Sequence, residues 1–180
     1  GVLTLVLDLD ETLVHCTTEP VDEADVVVPV HFNGVDYQVR VRKRPHLEEF
    51  LEAVSEQFEV VVYTASQRVC ADAVLDALDP QRRLFRHRLF REECLLVDGN
   101  YLKDLGLLGR DLARVVLVDN SPHAYGYHLD NGIPILSWFD DATDTELLRL
   151  LPLLQRLASE RDVRPVLRAR FATHLLVQQA

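Results

Sequence analysis

The sequence predicts an α/β fold in which helices cover both faces of a central parallel sheet. Three apolar runs rich in Val and Leu have the character of strands buried on both faces, and they lie at residues 2–7, 59–63 and 115–118. Apolar residues recur at helical spacing in three further stretches, at residues 45–57, 66–78 and 144–158. This alternation of strands and helices is typical of a parallel sheet.

One segment departs from the alternation. Two strand-like runs, residues 26–32 and 35–41, flank Asn33 and Gly34. Asn-Gly between such runs is a strong hairpin signal, because both residues tolerate a positive φ. We therefore predict a β-hairpin inserted at about residues 26–41 of a single domain that spans residues 1–180.

Local signals mark the ends of the predicted helices. Pro45 suits a first helical position, and Ser66 is a candidate N-cap for the second helix. Pro152 lies inside the third helical stretch. We expect it to kink or divide that helix, because proline lacks the N–H that a helix needs.

The charge balance limits the kinds of partner. The chain has 19 Lys and Arg against 29 Asp and Glu, which gives a formal net charge of −10. Binding to nucleic acid or to an anionic membrane is driven by Lys and Arg. No apolar run approaches the roughly 20 residues that span a bilayer. We predict no direct nucleic-acid binding and no membrane contact by this domain, and we expect a monomer.

Cysteine usage bears on the compartment. The chain has three cysteines, an odd number: Cys16, Cys70 and Cys94. No two of them have the close spacing of a zinc or redox motif. We expect three free thiols, as in a reducing compartment. The first residues show no signal-peptide pattern. The expected location is therefore intracellular, in the nucleus or cytosol, and not secreted.

Polar side chains follow each of the three apolar runs. Asp8 and Asp10 follow the first run, Thr64 follows the second, and Asp119 with Asn120 follows the third. Ligands of open parallel sheets bind at the carboxyl ends of the strands. One such residue alone is more often a turn residue or a helix cap. Three sets together predict a shared site.

The residue types in this predicted site suit phosphate chemistry. Asp8 and Asp10 project to the same side of an extended chain. Two close carboxylates need a cation between them, and Mg²⁺ prefers oxygen ligands, to which the Asn120 amide adds no charge. One Asp can attack phosphorus while the other exchanges protons, but the spacing does not decide which one attacks. Lys103, one of two lysines in the chain, is a candidate cation for the phosphate or the nucleophile.

Six motifs in order carry a family resemblance. They are Asp8 to His15 (DLDETLVH), Lys43 to Phe50 (KRPHLEEF), Tyr63 to Ser66 (YTAS), Arg88 to Cys94 (RLFREEC), Gly99 to Leu105 (GNYLKDL) and Val118 to Pro122 (VDNSP). Together they resemble the small C-terminal-domain phosphatases, which form the FCP/SCP branch of the haloacid dehalogenase superfamily. The resemblance covers nearly the whole chain and is nearest to the CTD small phosphatase-like members.

The resemblance implies a Rossmann-like haloacid dehalogenase fold without a large cap domain. It implies that Asp8 is the nucleophile and Asp10 the general acid and base. Magnesium would be held by the Asp8 side chain, the Asp10 carbonyl and Asn120, with Asp119 beside them. The remaining implied roles are phosphate binding by Thr64 and Lys103 and a substrate-side position for Arg91.

The function implied is a Mg²⁺-dependent protein serine/threonine phosphatase that forms an aspartyl-phosphate. Its substrate would be a phosphorylated protein or peptide, either the C-terminal domain of RNA polymerase II or another phosphoprotein. A catalytically inactive scaffold or import-receptor relative of the same fold is the alternative, and the complete set of catalytic residues disfavours it. A signalling receiver domain is a further alternative, but it would place its acidic pair differently from Asp8 and Asp10. A small-metabolite phosphatase of this superfamily is another, but it would carry a sizeable cap domain.

Two features bear on substrate choice. Tail-specific members of the family hold a substrate proline in an aromatic and aliphatic pocket, whereas this chain has Thr18, Gln67 and Cys70 at positions where bulky apolar residues are expected. We therefore expect no strong preference for the polymerase tail. Residues 82–91 carry five arginines, which form either a solvated basic face or an electrostatic guide for phosphopeptides.

Overall fold

Parallel strands form the centre of the fold, and helices surround them. The computed structural model of the protein describes residues 1–20 and 23–171. In chain order the strands are β1 (Thr4–Leu7), β2 (Val14–Thr17), β3 (Val26–Phe32), β4 (Val35–Lys43), β5 (Glu59–Tyr63), β6 (His87–Leu89), β7 (Cys94–Val97), β8 (Asn100–Lys103), β9 (Val115–Asp119) and β10 (Gly132–Pro134). The α-helices are α1 (Leu47–Gln57), α2 (Arg68–Leu78), α3 (Glu146–Ala158) and α4 (Val163–Phe171).

The central sheet has the strand order β10-β9-β1-β5-β6, and all of its strands are parallel. The three predicted apolar runs are its three middle strands, β9, β1 and β5. The predicted α/β class with a central parallel sheet is therefore confirmed. Because β1 pairs with β5 on one side and β9 on the other, the carboxyl ends of all three strands lie side by side.

Side chains alternate between the two faces of the sheet, and each face has its own core. Leu5 and Leu7 of β1 belong to a large cluster to which all four α-helices contribute. Val6 lies in a second cluster with Leu105 and Tyr125, which come from short 3₁₀ helices. Helices thus cover both faces as predicted, but the longer α-helices share one cluster.

The predicted hairpin insertion is confirmed. Strands β3 and β4 pair antiparallel around Asn33 and Gly34, whose φ angles of 50° and 75° suit the tight turn. β4 continues to Lys43, two residues beyond the predicted end, because it also pairs with β2. The structure also has a second hairpin, β7–β8, which was not predicted. It turns at Asp98 and Gly99, and Lys103 is its last residue.

Three helix ends differ from the predictions. α1 begins at Leu47 rather than Pro45, because His46 adopts a left-handed φ of 69°. Ser66 does not cap α2, since its hydroxyl bonds elsewhere. Pro152 does not divide α3, which runs unbroken from Glu146 to Ala158. Pro152 is exposed, so the carbonyl that it leaves without a helical donor can bond to water.

A buried arginine joins distant segments of the chain. Arg44, which is 1% exposed, donates two bonds to the Asp144 carboxylate at 2.8 and 2.9 Å. It also donates to the Thr12 carbonyl at 3.0 Å and to the Leu136 carbonyl at 2.9 Å. The loop after β1 is thereby fastened to the segment between β10 and α3.

Three broader expectations can be compared with the structure. Cys16, Cys70 and Cys94 are free thiols, as predicted. Within residues 1–20 and 23–171, no helix combines the length and apolar character needed to cross a membrane. The expectation of a single domain stays a prediction.

We predict that Arg44→Met destabilises the fold strongly. The substitution leaves the Asp144 carboxylate and two carbonyls without their donor, which should cost about 3–5 kcal/mol in the free energy of unfolding. Urea denaturation measures this change. Arg82→Ala is the control, because it breaks an exposed pair with Asp76 and should cost about 1 kcal/mol or less. Equal losses in the two variants would contradict the structural role of Arg44.

Candidate active site

An open cavity of about 490 Å³ lies at the carboxyl edge of the central sheet. Six of the seven residues predicted for the site line it: Asp8, Asp10, Arg91, Lys103, Asp119 and Asn120. The prediction that the strand ends converge is thus met by the geometry. Thr64, the seventh, is fully buried directly behind this edge.

Lys103 links the ends of two neighbouring strands. The β7–β8 hairpin places the ammonium group of Lys103 2.8 Å from Asp8 Oδ1. The same group also donates to Asp119 Oδ2. All three side chains are nearly inaccessible, at 3%, 7% and 2% exposure. Two carboxylates from adjacent strand ends therefore share one cation in a buried setting.

Two carboxyl groups crowd one ammonium group in this triad. Burial and then the Asp119 carboxylate raise the pKa of Asp8 above its usual value, although Lys103 lowers it. Burial lowers the pKa of Lys103, but Asp119 and Asp8 outweigh that effect and raise it overall. Lys103 therefore stays charged, and one positive charge faces two carboxylates.

Further hydrogen bonds fix the two carboxylates. Thr12 donates to Asp8 Oδ2 at 2.9 Å, so both oxygens of Asp8 have a partner. The Ser121 amide donates to Asp119 Oδ1 at 2.9 Å, and the Tyr125 hydroxyl donates to the Asp119 carbonyl. The orientation of Asp8 at the cavity floor is thus determined on both sides.

Asp10 is held by two hydroxyl groups from the segment that follows β5. Its Oδ2 accepts from Thr64 Oγ1 at 3.1 Å and from Ser66 Oγ at 2.5 Å. Thr64 therefore bonds to Asp10, and the predicted contact of Thr64 with phosphate stays a prediction. Glu11, the next residue, has a left-handed φ of 60° and also lines the cavity.

The donor groups around Asn120 fit a magnesium ion. The Asn120 side-chain N–H donates to the Asp10 carbonyl oxygen at 3.1 Å, and Asn120 lines the same cavity as the Asp8 carboxylate. A carboxylate, a carbonyl and an amide supply oxygen ligands of the kind that Mg²⁺ takes, and a divalent cation would offset the repulsion between the crowded carboxyl groups. In the described part of the chain, no three His, Cys, Asp or Glu side chains converge as a metal site. Asp119 as a ligand stays a prediction: like those of Asp8, both of its side-chain oxygens already accept hydrogen bonds.

Arg91 differs from the other arginines of residues 82–91. Its Nε donates to the Ala65 carbonyl at 2.6 Å, and its guanidinium carbon lies 4.9 Å from the centre of the Tyr101 ring. This placement leaves the guanidinium at the cavity lining. Three of the others are paired with acidic residues of α1 and α2, namely Arg82, Arg83 and Arg88. Of the five arginines of residues 82–91, Arg91 is the one that lines the cavity, where it can meet a phosphate.

A second cavity, of about 400 Å³, adjoins the first. Thr18 and Cys70, which the family resemblance places at a substrate pocket, line it together with Val39. Gln67 does not line this cavity and instead faces a separate groove with Phe32. The reason is that Gln67 precedes α2 in an extended conformation, with a ψ of 139°, so helical spacing from Cys70 does not apply to it.

Three residues of the site were not singled out from the sequence: Thr12, Ser66 and Tyr125. Thr12 and Ser66 stand inside two of the six motifs, so their positions were visible but their bonding partners were not. Ser66 has the ordinary signature of a helix cap, and only the contact between β5 and β1 directs its hydroxyl to Asp10.

We predict that Lys103→Met lowers the free energy of unfolding by about 3–5 kcal/mol, because it leaves two buried carboxylates without a cation. The double variant Lys103→Met/Asp119→Asn should recover more than half of that loss, since one carboxylate is then neutral. Urea denaturation in EDTA measures both, because a metal ion could otherwise replace the missing charge. A double variant no more stable than Lys103→Met would contradict the shared-cation geometry.

The sequence of this chain is similar to those of known proteins over most of its length. Residues 3–164 match the family model described as NLI interacting factor-like phosphatase. CTD small phosphatase-like protein 2 of Dictyostelium discoideum is 53% identical over 178 residues, which cover 99% of this chain and 31% of that protein. The human carboxy-terminal domain RNA polymerase II polypeptide A small phosphatase 1 is 52% identical over 166 residues, which cover 92% of this chain and 63% of that protein.

The solved structure of Fcp1, an essential RNA polymerase II CTD phosphatase, superimposes with a TM-score of 0.66 at 23% identity over 89% of this chain and 51% of that one. This likeness confirms the haloacid dehalogenase fold that the six motifs implied. The chain spans about a third to two thirds of the length of these curated relatives. With nine tenths of its residues covered by one family model, the chain belongs to the NLI interacting factor-like phosphatase family.

Proposed function

We propose that the protein is a Mg²⁺-dependent phosphatase that hydrolyses phosphoserine and phosphothreonine in proteins through an aspartyl-phosphate on Asp8. The observation that carries this proposal is the fixed pair of Asp8 at the cavity floor and Asp10 beside it. Asp8 is held by Lys103 and Thr12, whereas Asp10 is held by hydroxyl groups alone. Two carboxylates in such different settings suit different roles.

The first half of the reaction breaks the ester. A carboxylate oxygen of Asp8 forms a bond to phosphorus as the bond from phosphorus to the serine or threonine oxygen breaks. Asp10, protonated, gives its proton to that leaving oxygen and becomes a carboxylate. In the second half, Asp10 takes a proton from water as the water oxygen bonds to phosphorus and the bond to Asp8 breaks. Both carboxyl groups return to their starting states.

Positive charge around the cavity stabilises the phosphoryl group during transfer. Lys103 offsets charge on Asp8, and Arg91 presents a guanidinium suited to phosphate oxygens. The groups that would hold Mg²⁺ are the Asp8 carboxylate, the Asp10 carbonyl and Asn120. When bound there, the ion supplies charge that screens the phosphate from the anionic nucleophile.

The shape of the site supports a macromolecular substrate. Between Asp10 and Lys43 the described chain forms a hairpin rather than a cap domain, and the cavity is open. The human relative is named for the C-terminal domain of RNA polymerase II, which supports a phosphoprotein as the substrate class. We therefore propose that the substrate is a phosphorylated protein or peptide. We further propose that the domain acts as a monomer in the nucleus or cytosol.

We predict that Asp8→Asn abolishes hydrolysis of an aryl phosphate, because the amide cannot attack phosphorus. The variant should remain folded, since removing one of two facing carboxylates relieves repulsion with Asp119. Steady-state release of 4-nitrophenol and a urea denaturation curve measure the two effects.

The matched control is Asp36→Asn, which changes an exposed carboxylate of the hairpin and should leave turnover unchanged. In the wild type, EDTA should stop turnover and added Mg²⁺ should restore it. Substantial turnover by Asp8→Asn would sink the proposed nucleophile, and full activity in excess EDTA would sink the metal requirement.

We predict little discrimination by the second cavity in favour of proline. Thr18 and Cys70 present less apolar surface than aromatic residues, and loss of one well-packed ring contact is worth about 1–3 kcal/mol, or roughly 10- to 200-fold. The ratio of kcat/KM for a tail phosphopeptide to that for the same peptide with proline replaced by alanine should be near one. Thr18→Phe should raise this ratio. A wild-type ratio in the hundreds would show that other residues bind the proline.

A further inference from the structure

The two oxygens of Asp10 have different surroundings. Oδ2 accepts hydrogen bonds from Thr64 and Ser66, the latter at 2.5 Å. Within residues 1–20 and 23–171, no protein donor bonds to Oδ1. Asp10 lines the cavity that Asp8 also lines. An oxygen that already accepts two hydrogen atoms has no lone pair well placed to carry a third. The proton of Asp10 therefore belongs on Oδ1.

The Ser66 hydroxyl is held where it is by contacts on both sides of its backbone. The Ser66 amide donates to Thr64 Oγ1 at 3.1 Å, and the Arg91 amide donates to the Ser66 carbonyl at 3.1 Å. The neighbouring Ala65 carbonyl accepts the Arg91 side chain. The short segment after β5 is thus fastened to the segment that carries Arg91, and the direction of the Ser66 hydroxyl follows from it.

We propose that Ser66 is a positioning residue for proton transfer. Its hydroxyl, acting with that of Thr64, immobilises Asp10 Oδ2 and leaves Oδ1 as the atom that exchanges the proton. This proposal rests on the proposed phosphatase function. During ester cleavage the proton moves from Asp10 Oδ1 to the leaving oxygen, which keeps the electron pair of the broken bond to phosphorus. Ser66 itself neither gains nor loses a proton.

Ser66 rather than Thr64 is the residue to test. Thr64 is fully buried, so its removal would disturb the packing at the end of β5. Ser66 is partly exposed and lines both the catalytic cavity and the second cavity. Its replacement by alanine removes the shorter of the two bonds to Oδ2 and little else.

The test uses leaving groups that need protonation to different degrees. A series of substituted phenyl phosphates offers nearly constant size but increasing basicity of the phenol oxygen, so recognition is matched across the series. The parameter kcat/KM covers steps up to release of the phenol, and hydrolysis of the shared phospho-enzyme does not mask it. Ser66→Ala should lose about 2-fold for 4-nitrophenyl phosphate and about 10-fold or more for unsubstituted phenyl phosphate, since general acid catalysis matters most for a basic leaving group.

Two further variants separate the possible roles. Ser66→Thr restores a hydroxyl and should recover most of the loss for the basic leaving groups. Ser55→Ala, which removes a serine hydroxyl that bonds within α1, should behave as wild type. Thermal denaturation of each variant identifies any loss of fold.

The outcomes are distinct. An equal loss for every leaving group would overturn the proposal, because it would place the Ser66 hydroxyl on the phosphate or in general packing. Unchanged kinetics in Ser66→Ala would overturn it as well. Failure of the wild type to hydrolyse any member of the series, or turnover by Asp8→Asn, would instead refute the proposed function on which the inference rests.

Discussion

The rest of the site depends on the ion pairs that the buried ammonium group of Lys103 forms with Asp8 and Asp119. Pairing of β1 with β9 brings Asp8 and Asp119 together, and burial makes their mutual repulsion costly. Neither strand supplies a cation. The chain delivers one from the β7–β8 hairpin, and Lys103 lies 95 residues from Asp8 in sequence. The strand order of the sheet, the β7–β8 hairpin and the charge balance of the site therefore depend on one another.

A single rule accounts for most of the site that the sequence predicted. Parallel strands end at a common edge, so polar residues after buried runs converge, and this places Asp8, Asp10, Asp119 and Asn120 in one cavity. Lys103 lies in the β7–β8 hairpin outside the central sheet, and Arg91 follows β6, a short strand that was not predicted from the sequence. Their candidate roles came from residue type and from family resemblance.

What the sequence did not predict depends on contacts between segments. The Ser66 hydroxyl can reach Asp10 only when β1 and β5 are paired, whereas the Thr12 hydroxyl bonds to Asp8 in the segment that follows β1. Family resemblance placed Gln67 with Thr18 and Cys70, but α2 begins one residue after Gln67, and Gln67 lines a separate groove. Local backbone states of this kind are decided by tertiary contacts rather than by pattern.

The two cavities share a wall. Asp10 and Ser66 line both of them, so the group that handles the leaving oxygen also borders the space available to the substrate's neighbouring side chains. Arg44 adds a second link, since it fastens the loop after Asp10 to the segment that precedes α3. Chemistry and recognition are thus held on one framework and not on separate loops.

The position of β1 in the sheet has a consequence for biogenesis. The first strand in the sequence is the middle strand of the sheet, and its partner β9 follows only after β2 to β8. During synthesis, β1 can pair with β5 early, but Asp8 gains its cation and Asp119 its strand position much later. A ribosome-bound chain that ends before β9 already contains Lys103, Thr12 and Ser66 but lacks Asp119 and Asn120. Under the proposed function, a translation product that ends before β9 would lack Asn120, which is proposed to hold Mg²⁺, and would therefore be inactive.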